Sequence, residues 1–309
     1  MNFIHIYSNS LKVMKVGIVG LGRAAWKYDL EFPKFRRSHT QSIMSFCDFR
    51  LVGGVDSDPN VATMWSNHFG IPSFVDIEMM LSHCKPDLVV LAVPIQFLHH
   101  NLMRILNYNP SVLVLVEKPV VSSIDEYRLL LKVDHKNMDR VLVNLPRLFA
   151  PESLELLSLI GDQSANSIEI IGTYSGSHLN TSLHFVSLID YLVSGINWKS
   201  NRSGDFEIKS DDSKKSISGQ IVHNSNPSIS TFEFTLKSSD LVIDYLAGGD
   251  RIVIEKEGKN WDLETSRENY QQNVYGFLSC NGFDNALRIS GLVQILPSIA
   301  GMISNYESS

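Results

Sequence analysis

The chain has little of several things, and each shortage narrows what it can be. Its three cysteines, Cys47, Cys84 and Cys280, are far apart and never form a C-x-x-C pair. That pattern supports neither a disulfide framework nor a zinc site and fits a reducing cytoplasm. Beyond Arg36-Arg37 and Lys214-Lys215 there is no cluster of basic residues, and the formal net charge is −6. This argues against a general nucleic-acid binder or a ligand of acidic membranes. No apolar run reaches the ~20 residues of a membrane-spanning helix. Met1–Val13 has no basic segment leading into a long apolar stretch, so no secretory leader is expected; Met14, directly before the first strand, is a candidate start. His5, His99, His100 and His178 stand at no metal-ligand spacing with acids or cysteines, and no metal site is expected.

What is there is an ordinary globular composition, 309 residues with 44% hydrophobic and 19% charged, enough for two domains. The most informative stretch is Lys15 to Ala25, KVGIVGLGRAA. Val16, Ile18 and Val19 make a short apolar run, and Gly20-Leu21-Gly22-Arg23-Ala24-Ala25 follows with the spacing G-x-G-x-x-A. A buried strand turning at once into a helix is the phosphate cradle of dinucleotide folds. Gly20 permits the turn, Gly22 lets backbone amides approach a pyrophosphate, and the small Ala25 lets helix pack on strand. A second apolar run, Leu51–Val55, ends in Asp56, where such folds place the acid that accepts from ribose hydroxyls. The 26–37 stretch reads as an insertion before a helix at 39–47.

Beyond Asp56 short apolar runs alternate with helical patterns. Strands are expected at 73–75, 87–93, 112–116 and 141–145, with helices at 61–69, 77–83, 97–107 and 124–133 between them. The apolar runs Leu88–Val93 and Val112–Val116 suit strands covered on both faces, hence a doubly wound parallel sheet of about six strands in residues 1–146. The carboxyl ends of those strands, with Val93, Pro94 and then Glu117, Lys118 and Pro119, should border the ligand crevice. Residues 147–309 read differently, as an α+β domain with an open, mainly antiparallel sheet. Helices are expected at 153–160, 183–193 and 284–296, the last stopping at Pro297. Strands are expected at 168–174, 231–236, 241–246 and 251–255, and 201–230 reads as polar loops.

With GLGRAA, Asp56, the AVP at 92–94 followed by His99, the EKP at 117–119, VNLPRLFAP at 143–151 and LNTSLHFVSLIDYLVSG at 179–195, the chain resembles the glucose-fructose oxidoreductase, inositol dehydrogenase and MocA (Gfo/Idh/MocA) family. The resemblance implies NAD as cofactor and a carbohydrate as substrate. It implies that Lys118 lies beside nicotinamide and substrate, with Asn180 and His184 completing the site. The chain departs from the family pattern at Asn180 and Ser187, where aspartates are common, and the pair often found after the sixth strand is reduced to Arg147. Arg147 and Tyr174 are read as substrate contacts, and Gly20, Gly22, Arg23, Ala24, Ala25, Asp56, Val93, Pro94, His99 and Glu117 to Pro119 as cofactor contacts.

In that chemistry His184 would take the hydroxyl proton, Lys118 would stabilise the oxygen by charge, and Asn180, one turn before His184, would orient. The expectation is an NAD-dependent dehydrogenase or reductase acting on a sugar or nucleotide-sugar, with surface-polysaccharide synthesis as its setting. It would be a cytoplasmic homodimer or homotetramer joined through the second sheet, with Phe232, Phe234, Val242 and Ile254 needing cover. A cofactor-binding sensor without turnover, and an imine or biliverdin-type reductase, stand as alternatives.

Overall fold

A computed structural model of the chain describes residues 13–31, 37–121, 123–161, 167–176, 178–193, 196–201, 203–210, 216–224, 231–246, 248–265 and 270–303. The first sheet is made of β1 (Met14–Val19), β2 (Phe49–Val55), β3 (Ser73–Phe74), β4 (Leu88–Leu91), β5 (Leu113–Glu117) and β6 (Val141–Asn144). Its strands are all parallel and run in the order β3-β2-β1-β4-β5-β6, the doubly wound arrangement expected. Every residue of β4 and β6 is buried, because helices cover both faces.

Those helices are α1 (Tyr28–Glu31), α2 (His39–Met44), α3 (Pro59–Phe69), α4 (Ile77–Cys84), α5 (Ile95–Tyr108), α6 (Ile124–Leu130) and α7 (His135–Met138). Asp58, Asp76 and Ser123 cap α3, α4 and α6 by accepting from backbone N–H groups of the first turn. The expected insertion is partly helical. Asp29 of α1 accepts the N–H groups of Arg37, at 2.7 Å, and Ser38, at 3.2 Å, and so fixes the start of α2.

The second sheet comprises β7 (Ser167–Ser175), β8 (Ile196–Ser200), β9 (Phe206–Ser210), β10 (Ser216–Asn224), β11 (Thr231–Lys237), β12 (Leu241–Leu246), β13 (Arg251–Lys256) and β14 (Lys259–Leu263), in the order β14-β13-β12-β11-β7-β10-β9-β8. It is antiparallel except for the β7–β10 pair. The loops expected over 201–230 are therefore corrected: β9 and β10 lie there. Phe206, Ile208, Ile217 and Ile221 are buried on one face, but Gly219 on that face and the exposed Val222 on the other break the apolar–polar alternation that would mark a strand. Phe232, Phe234 and Ile254 point into the protein, with Tyr245 stacked 5.0 Å from Phe234, so the open face carries Val242 but not the other three.

Against the inner face of this sheet packs α9 (His178–Leu192), after α8 (Pro151–Gly161). The chain then returns. Helix α10 (Tyr270–Ser290) packs on α2, on β6 and on the 3-10 turn Pro146–Phe149, and α11 (Leu292–Ile303) on α9 and β8. The single helix expected over 284–296 is thus the end of one and the start of another. Gly282, at φ +77°, breaks α10, and α11 runs on past Pro297.

Candidate active site

β1 ends where Gly20 turns at φ +90°, a conformation that glycine adopts without strain. A side chain here would also collide, since a Cβ would lie 2.5 Å from the Ala92 carbonyl oxygen at the end of β4. Gly22 differs: nothing lies within 4 Å of where its Cβ would be, so the loop presents bare backbone to open space. The chain then enters a π-helical turn at Arg23–Lys27, with Ala25 fully buried beneath it. Asp56, just past β2, reaches back under this loop. Its Oδ2 accepts the Leu21 N–H at 2.9 Å and its Oδ1 the Asp58 N–H at 3.0 Å.

In front of the loop opens a cavity of about 540 Å³, a size usual for small-molecule sites. Gly22, Arg23 and Ala24 form one end of its wall. Ala92, Val93 and Pro94 follow from the end of β4, and Glu117, Lys118 and Pro119 from the end of β5. Asn144, Pro146, His184 and Gln271 line it as well, and Tyr28 and Arg37 also contribute. Lys118, from the first sheet, and His184, from α9 under the second, therefore face one space.

Electrostatics sets their states. Burial, the largest influence, holds the His184 imidazole well below its ordinary range, and the nearby Lys118 and Arg147 cations push the same way. The ring is neutral at physiological pH and so able to accept a proton. Burial also lowers the Lys118 ammonium, with Glu117 opposing and Arg147 assisting. Glu117 is drawn in opposite directions. Burial favours its neutral form, but hydrogen bonds from His39 and Asn144 and the charge of Lys118 prevail, leaving the acid below its ordinary value.

Other sequence candidates are placed differently. Tyr174 does not line the cavity: its hydroxyl donates to the Gly204 carbonyl at 2.7 Å, and its ring packs between Phe185 and His223. Arg147 lies beside the site, its guanidinium 5.0 Å from the ring centroids of both Phe232 and Tyr270, with Nε and Nη1 buried and making no hydrogen bond among the described residues. His99 sits on α5, its Nε2 likewise buried without a partner among them. Asn180 falls in the first turn of α9, and its side chain lies outside the described residues. Among the described residues, Nδ1 of His184 has no hydrogen-bond partner. No group of three His, Cys, Asp or Glu residues that could hold a metal occurs among them, and no helix there is long and apolar enough to cross a membrane.

Sequence reasoning missed a buried polar cluster behind Glu117. His39 opens α2, Asn144 ends β6, and Gln271 and Tyr275 stand one turn apart on α10. Nε2 of His39 is 2.9 Å from Glu117 Oε1, and its Nδ1 is 2.7 Å from the Tyr275 hydroxyl. Asn144 donates to Glu117 Oε1 at 2.6 Å and to Gln271 Oε1 at 2.9 Å. The only local signal was a polar Asn closing an apolar strand and a Ser-His pair opening a helix.

Residues 14–145 match the family model described as an oxidoreductase family with an NAD-binding Rossmann fold, GFO_IDH_MocA. No curated protein matches the chain in sequence. Among solved structures the chain is similar to a dehydrogenase from Chromobacterium violaceum, at 17% identity and TM-score 0.72, covering 97% of this chain and 96% of that one. It is similar to the WlbA dehydrogenase from Bordetella pertussis in complex with NADH and UDP-GlcNAcA, at 18% identity and TM-score 0.67, covering 96% and 95%. A third is a variant of KijD10, a 3-ketoreductase from Actinomadura kijaniata in complex with TDP-benzene and NADP, at 12% identity and TM-score 0.69, covering 95% and 97%. At these identities the likeness is one of fold.

Proposed function

From an N-terminal domain of the Gfo/Idh/MocA oxidoreductase family, we propose that the chain is an NAD-dependent dehydrogenase or reductase acting on a CH–OH group of a sugar or nucleotide-sugar. The observation that carries this reading is the meeting of Lys118 and His184, from two different sheets' surroundings, in the cavity that starts at the glycine loop. The neighbours from Bordetella pertussis and Actinomadura kijaniata, both bound to nucleotide-linked ligands, support the substrate class.

The residues present fit the cofactor. The bare backbone at Gly22 and the N-terminal end of the turn that follows suit a pyrophosphate, and the free lone pairs of Asp56 suit a ribose diol. Bound there, the nicotinamide would supply the hydride-accepting or hydride-donating carbon. In the oxidative direction His184, neutral and with no partner on Nδ1 among the described residues, takes the hydroxyl proton, while the Lys118 ammonium hydrogen-bonds the same oxygen and stabilises its developing charge. Asn180, one turn before His184, orients the substrate, and Arg147 contacts it from the Pro146 side. Residues 1–146 hold the cofactor and 147–309 the substrate. The open face of the second sheet joins copies into a cytoplasmic homodimer or homotetramer, and polysaccharide synthesis is the setting that fits best.

The test is NADH titration by fluorescence beside turnover over a panel of nucleotide-sugars. Binding with oxidation or reduction of a panel member is expected. Tight NADH binding with no turnover across the panel would replace this reading with that of a cofactor-binding sensor.

A further inference from the structure

The cluster behind Glu117 has more hydrogen bonds than packing requires, and they all converge on one carboxylate. Oε1 of Glu117 faces His39 at 2.9 Å and Asn144 at 2.6 Å, while Oε2 accepts the backbone N–H of Lys118 at 3.3 Å. Glu117 therefore grips the main chain of the very residue whose ammonium enters the cavity. His39 is fully buried, and its ring is held from the other side by Tyr275 at 2.7 Å and by Gln271 Nε2 at 3.2 Å.

The donors fix the tautomer. Gln271 Nε2 can only donate, and burial together with the Glu117 charge holds the Tyr275 hydroxyl well above its ordinary range, so that it keeps its proton. Gln271, whose amide oxygen accepts from Asn144, turns its Nε2 donor to Nδ1 of His39, so Nδ1 accepts and Nε2 carries the hydrogen given to Glu117. The arrangement spans α2, β5, β6 and α10, and Asn144 and Gln271 line the cavity themselves.

We propose that His39 is a positioning residue: pinned by Tyr275 and Gln271 of the C-terminal helix α10, it fixes the Glu117 carboxylate and through it Lys118, so that this late helix belongs to the machinery of the active site. The role given to Lys118 rests on the proposed oxidoreductase reading. The link from His39 to Lys118 does not, and it can be measured without substrate.

The probe is trace acylation of lysines by acetic anhydride as a function of pH, read on the Lys118 peptide by mass spectrometry. Among the described residues, the charged or titratable groups facing Lys118 are Glu117, Arg147 and His184, and those facing Glu117 are His39, Lys118 and Tyr275. Glu117→Gln removes the counter-charge, so Lys118 deprotonates more readily and labels at least about threefold faster near pH 8. His39→Ala acts in the opposite sense. A carboxylate that has lost one of its donors turns more toward the nearest cation, so Lys118 labels about threefold slower at the same pH. His39→Gln, which keeps an N–H for Glu117 and an acceptor for Tyr275, restores the wild-type profile. Tyr275→Phe gives a smaller shift in the His39→Ala direction and serves if the alanine variant does not fold. In the Glu117→Gln background His39→Ala adds nothing. An unchanged Lys118 profile in both His39→Ala and Tyr275→Phe overturns the proposal, whatever the turnover assay shows. Absence of turnover with shifted profiles overturns the enzymatic reading and leaves this link standing.

Discussion

Glu117 and Asp190 are both carboxylates drawn partly out of water, and the protein treats them in opposite ways. Glu117, at the mouth of the first sheet, is met by His39, Asn144 and the Lys118 N–H, with a cation beside it, and is held below its ordinary value. Asp190, on α9 under the second sheet, is pushed up to about 6, chiefly by burial, although Ser298 donates to one oxygen and Trp198 to the other at 2.6 Å. Among the described residues, no cation stands beside it. Burial alone does not decide a carboxylate's charge; the number of donors and the presence of a counter-charge do. One site is built to keep charge beside the cavity, and the other tolerates charge as a cost of fastening α9 to β8 and α11.

The largest expected effect falls on the groups that the Glu117 end serves. Lys118→Ala and His184→Ala should each lower turnover on the order of 10²–10⁴-fold while NADH affinity stays within about threefold, since the glycine loop and Asp56 lie elsewhere. Steady-state rates beside NADH titration decide it, and wild-type turnover in both variants would dissolve the contrast by leaving Glu117 with nothing to serve. The acid limb of kcat/KM should lie below pH 6.5, because the free-enzyme His184 is held down by burial and by two cations.

The next effect is on stability and concerns the other carboxylate. A raised pKa means that folded Asp190 binds its proton more tightly than the unfolded chain does, so stability falls as pH rises from about 4 to about 6 and stays lower above. The shift corresponds to about 3 kcal/mol at full burial, and since the side chain keeps some exposure about 1–3 kcal/mol is expected. In Asp190→Asn the amide oxygen can accept from Trp198 and the amide nitrogen can donate to Ser298. The variant should therefore unfold later in urea at pH 7.5 and lose the dependence between pH 4 and 6. Glu117 has the opposite sign: its contribution is complete above its ordinary value of 4.5 and disappears only at lower pH. An Asp190→Asn variant weaker than wild type at pH 7.5 would show that the two carboxylates do not differ as argued.

The two regions were also unequally legible. The first sheet could be read because its strands are covered on both faces, so Leu88–Leu91 and Val141–Val143 are apolar at every position and need no partner to be recognised. The second sheet exposes one face, and β10, with Gly219 between Ile217 and Ile221 and the apolar Val222 on its open face, looks like a loop until β7 and β9 flank it. In the site, the glycine loop and the EKP turn are local patterns, which is why Lys118 was visible. His184 was visible only beside the family's helix motif. The roles of His39 and Tyr275 were not, because the contacts that define them join residues 78 and 236 positions apart. Such links leave no periodicity in the chain.

The smallest effect sharpens the comparison with a third carboxylate, Asp56, which has neither the cation of Glu117 nor the isolation of Asp190. Two backbone N–H groups use one lone pair on each of its oxygens, and the remaining lone pairs would accept from a ribose diol under the proposed reading. A 2′-phosphate would meet this carboxylate without compensation, since the neighbouring Arg23 is engaged by Glu31 at 2.6 Å and stacked on Tyr28. NAD(H) should therefore bind more tightly than NADP(H) by about tenfold or more, near 1.4 kcal/mol. Asp56→Asn keeps an acceptor for the loop but removes the charge, so it should narrow the preference to within about threefold while weakening NADH only slightly. Paired fluorescence titrations of both cofactors at two salt concentrations measure this, and the preference should shrink as salt screens the exposed charge. Tighter NADP(H) binding by the unaltered protein would mean that Asp56 serves only the loop, a carboxylate used for structure as Asp190 is.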